Sequence, residues 1–175
     1  MKRIITFVIL FFTINFHIGN HIAYAETLHS TLYGFSIEIP DDWSKRKPKK
    51  PWTLFTYAKL GSGENLNMNI LSAQGLYSIE QVPLEQIFHP HYEYVTIIEK
   101  TYEIASGIDF FKCIYKWKES DFKKKVEGKY RLQYFVVQWI KDEKLFTVTF
   151  TDSENNFPNN IQTFRKIADS IEFDK

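Results

Sequence analysis

The chain has 175 residues, with 22 Lys and Arg residues against 21 Asp and Glu residues and a formal net charge of +1. This balance gives no electrostatic reason to expect nucleic acid as a partner, and the single cysteine excludes an intramolecular disulfide. Because Phe, Tyr and Trp make up 17% of the residues, we expect aromatic packing to be the main source of stability.

The first 25 residues have the pattern of a secretory signal peptide. Lys2 and Arg3 precede an apolar run at 4–16, and Ala23-Tyr24-Ala25 places small residues where a signal peptidase reads them. The apolar run is shorter than the about 20 residues that a membrane-spanning helix requires. An uncleaved anchor is the alternative interpretation.

We therefore predict a signal peptide over 1–25 and one exported domain over 26–175. The domain would be secreted or held in the periplasm or cell envelope after cleavage near Ala25. It would keep 20 of the 22 basic residues and all 21 acidic residues, because only Lys2 and Arg3 are charged before position 26. A domain of this length can bury a substantial core.

The first predicted strand is followed by two adjacent carboxylates. Apolar residues occupy every second position across 33–39, a period of two that indicates a strand with one buried face. Pro40 cannot donate to a sheet ladder, and Asp favours turns. We therefore interpret Asp41 and Asp42 as turn residues rather than a catalytic pair, and expect Trp43 to cover the sheet edge.

Further strands follow, and most are joined to the next by short turns. The basic stretch 45–51 is predicted to be an exposed loop. A short helix is predicted over 78–88, with boundaries weakened by Pro83. Short turns make successive strands antiparallel. The predicted strands are 52–60, 66–73, 94–104, 108–117, 130–140 and 145–151.

The best-defined predicted helix lies near the end of the chain. Pro158 suits a first helical position, and Asn156 is available as a cap. The apolar residues that follow recur at spacings of three and four, which predicts one buried stripe packed across the sheet. They are Ile161, Phe164, Ile167, Ala168 and Ile171.

This order of elements resembles the PsbP-like family, which includes the bacterial DcrB-type exported proteins. The likeness rests on the strand ending in Pro and Trp at 35–43, the strand at 145–151 and the ending FRKIADSIEF at 164–173. The resemblance implies an α+β fold in which an antiparallel β-sheet is flanked by helices, an α/β/α sandwich. It also implies a binding or accessory role, and it supplies no catalytic motif.

One stretch has the composition of a metal site. In an extended chain, His89, His91 and Glu93 would point to the same side, and imidazole with carboxylate suits zinc or copper. The alternative is a surface loop, which Pro90 and the lack of a visible distant ligand favour. No cofactor is therefore predicted, and the three residues remain a metal-site hypothesis.

Two lysine-rich loops form another candidate binding site. If the fold brings them together, they would make a cationic patch for weak contact with anionic lipid headgroups or wall polymers. The alternative is a pair of solvated loops that keep strands from mispairing. The candidate residues are Lys45, Arg46, Lys47, Lys49 and Lys50 in the first loop and Lys123, Lys124 and Lys125 in the second.

Cys113 and the aromatic residues of the later strands are interpreted as core. Phe111, Cys113 and Tyr115 share one strand face, so Cys113 is expected to be a small buried residue rather than a nucleophile. The aromatic residues between 94 and 150 could instead line a ligand groove, but a sheet with helices needs many of them for its core.

The leading functional hypothesis is an exported, non-catalytic binding or accessory domain that engages a protein partner in the cell envelope. The chain has no G-x-S-x-G, H-E-x-x-H or C-x-x-C sequence and no phosphate-binding glycine loop. We therefore predict that it is not an enzyme. The alternatives are a binder of small molecules, anionic lipid or metal, and a hydrolase without a recognisable motif.

Overall fold

The alternation of apolar and polar residues in the sequence produces two antiparallel sheets in the computed structural model. The structure describes residues 24–59, 61–82, 94–117 and 132–174. The strands are β1 (Tyr24–Ser30), β2 (Phe35–Pro40), β3 (Trp43–Arg46), β4 (Thr53–Lys59), β5 (Asn65–Ser72), β6 (Val95–Ala105), β7 (Ile108–Trp117), β8 (Leu132–Lys141), β9 (Lys144–Ser153) and β10 (Glu172–Phe173). A 3-10 turn (Ile79–Gln81) and an α-helix, α1 (Phe157–Asp169), complete the described elements. The large sheet has the order β3-β4-β5-β9-β8-β7-β6, and the small sheet has the order β1-β2-β10.

Two tight turns fix the register of the long hairpins in the large sheet. Ser106 and Gly107 join β6 to β7 with φ values of 53° and 77°, and Asp142 and Glu143 join β8 to β9 with φ values of 49° and 56°. Two successive residues with positive φ match the twist of the flanking strands in a two-residue hairpin. Both turns lie where the sequence predicted short connections.

The main core lies between the large sheet and a layer made of α1 and β2. Trp139, Phe146 and Phe150 of the sheet pack with Phe35 of β2 and Phe164 of α1, and all five are no more than 2% exposed. On the opposite face of the sheet, a second cluster joins β7 and β8 to the 3-10 turn and its flanking residues. Alternate residues of one strand therefore serve two cores.

The position of α1 is fixed at its C-terminal end by a serine. The Ser170 hydroxyl donates to the Ile167 carbonyl at 2.7 Å and accepts from the Glu38 amide of β2 at 2.9 Å. At the other end, Pro158 occupies the first turn as predicted, but the Asn156 side chain makes no capping hydrogen bond. The helix packs across β8 and β9, as its apolar stripe predicted.

The structure corrects three of the sequence-based expectations. The antiparallel sheet is confirmed, but α1 is the sole α-helix within the described ranges, so these ranges do not form an α/β/α sandwich. The described part of the predicted helix 78–88 is one 3-10 turn that ends at an extended Val82. Strands β1, β3 and β10 were not predicted. Residues 1–23 lie outside the described part, so the signal peptide stays a prediction.

Phe164→Ala tests whether the aromatic layer holds the fold together. Phe164 is fully buried, and its ring lies 5.2 Å from that of Phe150 and 6.2 Å from that of Trp43. We expect the free energy of unfolding to fall by about 3–5 kcal/mol, because the truncation leaves a cavity beneath α1. Urea denaturation followed by circular dichroism measures it. Gln162→Ala, on the exposed side of the same helix, should change the value by less than about 0.5 kcal/mol.

Candidate functional sites

The first lysine-rich stretch forms the tip of the β3–β4 hairpin. Lys45 and Arg46 lie in β3 and pair with β4, so the prediction of a loop is wrong for these two residues. Pairing with a neighbouring strand overrides the low strand propensity of charged side chains. Lys47, Lys49 and Lys50 follow at the tip, and all five cations are exposed.

Two sets of predicted site residues lie outside the described residues. They are Lys123, Lys124 and Lys125 of the second lysine stretch, and His89, His91 and Glu93 of the metal hypothesis. Within the described ranges, no three His, Cys, Asp or Glu side chains are grouped so that they could hold a metal ion. The joint cationic patch and the metal site therefore both stay predictions.

Cys113 lies in the second core cluster, between the sheet and the segment that contains the 3-10 turn. It is 1% exposed, and burial raises the pKa of its thiol to about 11. Because the thiolate is the reactive form of cysteine, this residue is a poor nucleophile at neutral pH. The interpretation of Cys113 as a small buried residue is confirmed.

Most of the aromatic residues assigned to the core are indeed buried. Trp117 and Tyr134 lie at the margin of the second core, where the Trp117 indole donates to the Tyr134 hydroxyl at 3.2 Å. Tyr94 and Tyr102, which are 36% and 44% exposed, are the exceptions within the described ranges, and Tyr130 lies outside these ranges. The buried members of the set are Phe110, Phe111, Tyr115, Phe135, Trp139, Phe146 and Phe150.

A buried polar cluster ties α1 to the large sheet, and the sequence analysis missed it. The Asn160 amide donates to Glu64 Oε1 and to Asp152 Oδ2, both at 2.7 Å. Lys59 Nζ lies 3.6 Å from Glu64 Oε2 and 3.1 Å from Asp42 Oδ2. These residues come from five separate segments, so no local sequence signal marked them.

Electrostatics in this cluster oppose the ionisation of Glu64. Burial raises the pKa of the Glu64 carboxyl; the Lys59 ammonium partly opposes this shift, and the carboxylates of Asp152 and Asp42 add to it. Glu64 is 6% exposed and Asp152 is fully buried. Every one of these carboxylates contacts a residue of the fold, so we assign the cluster to stability rather than to chemistry.

The outer edge of β6 is the second surface that sequence reasoning missed. β6 pairs with β7 on one side and with no described strand on the other. All residues from 98 to 105 are exposed. They include three large apolar side chains, Ile98, Tyr102 and Ile104, which are 50%, 44% and 77% exposed.

The acidic side chains of β6 are bound within the molecule on the side that faces α1. Glu99 accepts two hydrogen bonds from Arg165 of α1, at 2.8 and 3.0 Å. Glu103 pairs with Lys112, which also binds Asp169 at the end of α1. Ion pairs on its acidic face therefore hold the strand, while its three large apolar side chains are exposed and its outer edge pairs with no described strand.

The two sheets and the covering helix define a PsbP-like fold, as the resemblance implied. The solution structure of PsbP from the cyanobacterium Synechocystis sp. PCC 6803 matches with a TM-score of 0.66 and 15% identity, over 89% of this chain and 95% of that one. The Ran-binding protein Mog1p of Saccharomyces cerevisiae matches with a TM-score of 0.57 and 7% identity, over 85% and 95%. At such low sequence identities, these structural matches establish the fold alone.

Neither a family model nor a curated protein matches the sequence. In the described part of the chain, no helix combines the length and apolar character needed to cross a membrane.

The Cys113 thiol should be protected from modification in the folded protein. At pH 8 the raised pKa lowers the thiolate fraction roughly hundredfold relative to an ordinary cysteine, and burial adds steric protection. Reaction with a chromogenic disulfide reagent should therefore be at least about a hundredfold slower in buffer than in denaturant. Fast modification of the folded protein would contradict the assignment of Cys113 to the core.

Glu64→Gln should alter the pH dependence of stability. Because the pKa of Glu64 is raised in the folded state, the native protein loses stability as pH rises and this group ionises. Glutamine cannot ionise, so the unfolding free energy of the variant relative to wild type should increase between about pH 4 and pH 7. Urea titrations at both pH values measure it. The exposed Asp41 supplies the control, and an equal shift for Asp41→Asn would contradict the prediction.

Proposed function

We propose that this protein is a non-catalytic accessory domain of the cell envelope that binds an extended segment of a protein partner along the outer edge of β6. The observation that carries the proposal is the eight-residue exposed stretch at 98–105. It combines three large apolar side chains with an outer backbone edge that pairs with no described strand.

An open strand edge offers a row of backbone donors and acceptors to a second chain. Natural proteins usually protect such edges with charges, bulges or a covering element, because they promote aggregation. Here Glu99 and Glu103 are paired with Arg165 and Lys112 of the same molecule. Addition of a partner strand would satisfy the backbone groups of the edge, and contacts with the alternate side chains Tyr102 and Ile104 would supply specificity.

The non-catalytic part of the proposal rests on the chemistry of the described residues. Cys113 is buried with a raised thiol pKa, and the carboxylates of Glu64 and Asp152 bind Asn160 within the fold. The sequence also lacks the hydrolase and metalloprotease motifs. Mog1p, which shares the fold, is a Ran-binding protein; this agrees with a binding role on the same scaffold.

The envelope location rests on the N-terminal pattern of the sequence. Two basic residues, a short apolar run and the Ala23-Tyr24-Ala25 site are the parts of a secretory signal. N-terminal sequencing of the protein recovered from the expressing cells tests this step, and we expect the recovered chain to start near residue 26.

Crosslinked capture from envelope extract tests the partner surface. The double variant Tyr102→Lys with Ile104→Lys should recover the partner at least about tenfold less well than wild type, because both substitutions place charge in the apolar contact. Asn155→Lys with Gln162→Lys adds the same charge at exposed positions away from β6 and should leave recovery unchanged.

Three results would contradict the proposal. They are the absence of a reproducible partner, equal recovery by the two double variants, and turnover by the purified protein on a panel of ester, phosphate and glycoside substrates.

A further inference from the structure

We propose that the tip of the β3–β4 hairpin, residues 45–52, docks on the surface of an anionic phospholipid bilayer. This surface is separate from the edge of β6: β3 and β6 are the two opposite edge strands of the large sheet. The inference therefore goes beyond the proposed partner binding and can be tested independently of it.

Basic residues greatly outnumber acidic residues in the β3–β4 hairpin and the neighbouring strand β5. Between residues 43 and 73 the only acidic residue is Glu64, which is 6% exposed and already contacts Lys59. The same segment contains six basic residues, five of them at the tip. None of the five forms an ion pair with a residue in 24–59, 61–82, 94–117 or 132–174. They are Lys45, Arg46, Lys47, Lys49 and Lys50.

An exposed tryptophan lies among these cations. Trp52 is 49% exposed, whereas Trp43 and Trp139 are 6% and 0% exposed. Lys50 Nζ lies 5.6 Å from the centre of the Trp52 ring. Tryptophan beside lysine is favoured at the bilayer interface, where the ring enters the headgroup region and the ammonium reaches lipid phosphate.

A second exposed apolar side chain lies at the same end of the sheet. The Ile70 amide donates to the Trp52 carbonyl at 3.0 Å, and the next residue, Leu71, is 50% exposed. The β8–β9 turn at this end carries two acids between Lys141 and Lys144, so it adds no net charge. Charge and apolar surface together are the two contributions that peripheral membrane binding requires.

The apolar residues distinguish a bilayer from a soluble polyanion. A wall polymer or free phosphate would engage the cations but leave Trp52 and Leu71 in water. A bilayer surface engages both, since anionic headgroups attract lysine and arginine while the interface accepts aromatic and leucine side chains.

Vesicle binding by the full chain tests the inference, with vesicles of phosphatidylcholine alone or with about 30% phosphatidylglycerol. Because the apolar run at 4–16 is expected to add binding to either vesicle, the readout is the difference between variants. Lys47→Gln with Lys49→Gln should lower partitioning onto anionic vesicles roughly 25-fold, about fivefold per cation. Lys100→Gln with Lys166→Gln has the same net charge and should leave it unchanged. Raising salt from about 0.1 to 0.5 M should abolish the difference.

The tryptophan provides an independent readout. Trp52→Ala should lower partitioning roughly tenfold, because the variant loses the exposed half of an aromatic side chain that would otherwise be buried in the bilayer interface. Vesicles with brominated lipid should quench the fluorescence of the wild type, and the quenching should be lost in Trp52→Phe. Circular dichroism confirms that each variant folds.

Four outcomes would overturn the inference. Partitioning could be equally weakened by the two lysine double variants, or unaffected by Trp52→Ala. Brominated lipid could quench Trp52→Phe as strongly as wild type. Finally, soluble polyphosphate could compete for the tip while anionic vesicles produce no quenching, which would assign the surface to a polymer.

Discussion

The aromatic layer between the large sheet and the layer of α1 and β2 is the constraint on which the rest of the structure depends. With one buried cysteine and no possible intramolecular disulfide, packing must supply the stability. Trp139 stacks on Phe146 at 5.1 Å, and Phe35 contacts both rings edge-on. Each such pair contributes about 0.5–1.5 kcal/mol beyond its buried area. These contacts and the stacking of Phe164 on Phe150 fix β2 and α1 on one face, and no other described strand pairs with the edge strands β3 and β6.

The charged residues at the two edges of the large sheet differ in whether they are paired. Arg165 and Lys112 bind the acidic residues of β6 on the helix side, so one edge strand presents its apolar residues outward. At the other edge, the five cations of the β3–β4 tip lie in the segment 43–63, which has no acidic residue, and Lys50 lies over the Trp52 ring. One sheet thus provides two chemically different edges, which suit an extended peptide and a charged bilayer surface respectively.

Local patterns in the sequence predicted the features that depend on local physics. The apolar stripe of α1 follows from one buried face, so its period reveals it. β7 and β8 are buried on both faces, and their apolar runs between short turns reveal them. β3 was missed because Lys45 and Arg46 have low strand propensity and are held by pairing with β4. The cluster of Glu64, Asp152 and Asn160 was missed because its members lie up to 96 residues apart. The apolar edge of β6 looked like core, because composition cannot tell which strand ends a sheet.

The placement of β2 has a consequence for biosynthesis. Phe35, Ile37 and Ile39 are made early, but two contacts that hold β2 form with residues made much later: the Glu38 amide binds Ser170, 132 residues later, and β10 pairs with the start of β2. During synthesis, β2 therefore lacks the contact with Ser170 until the 132 residues that follow Glu38 have been made. An apolar strand that waits for distant contacts is prone to aggregation, and a chaperone that shields β2 would protect it in that interval.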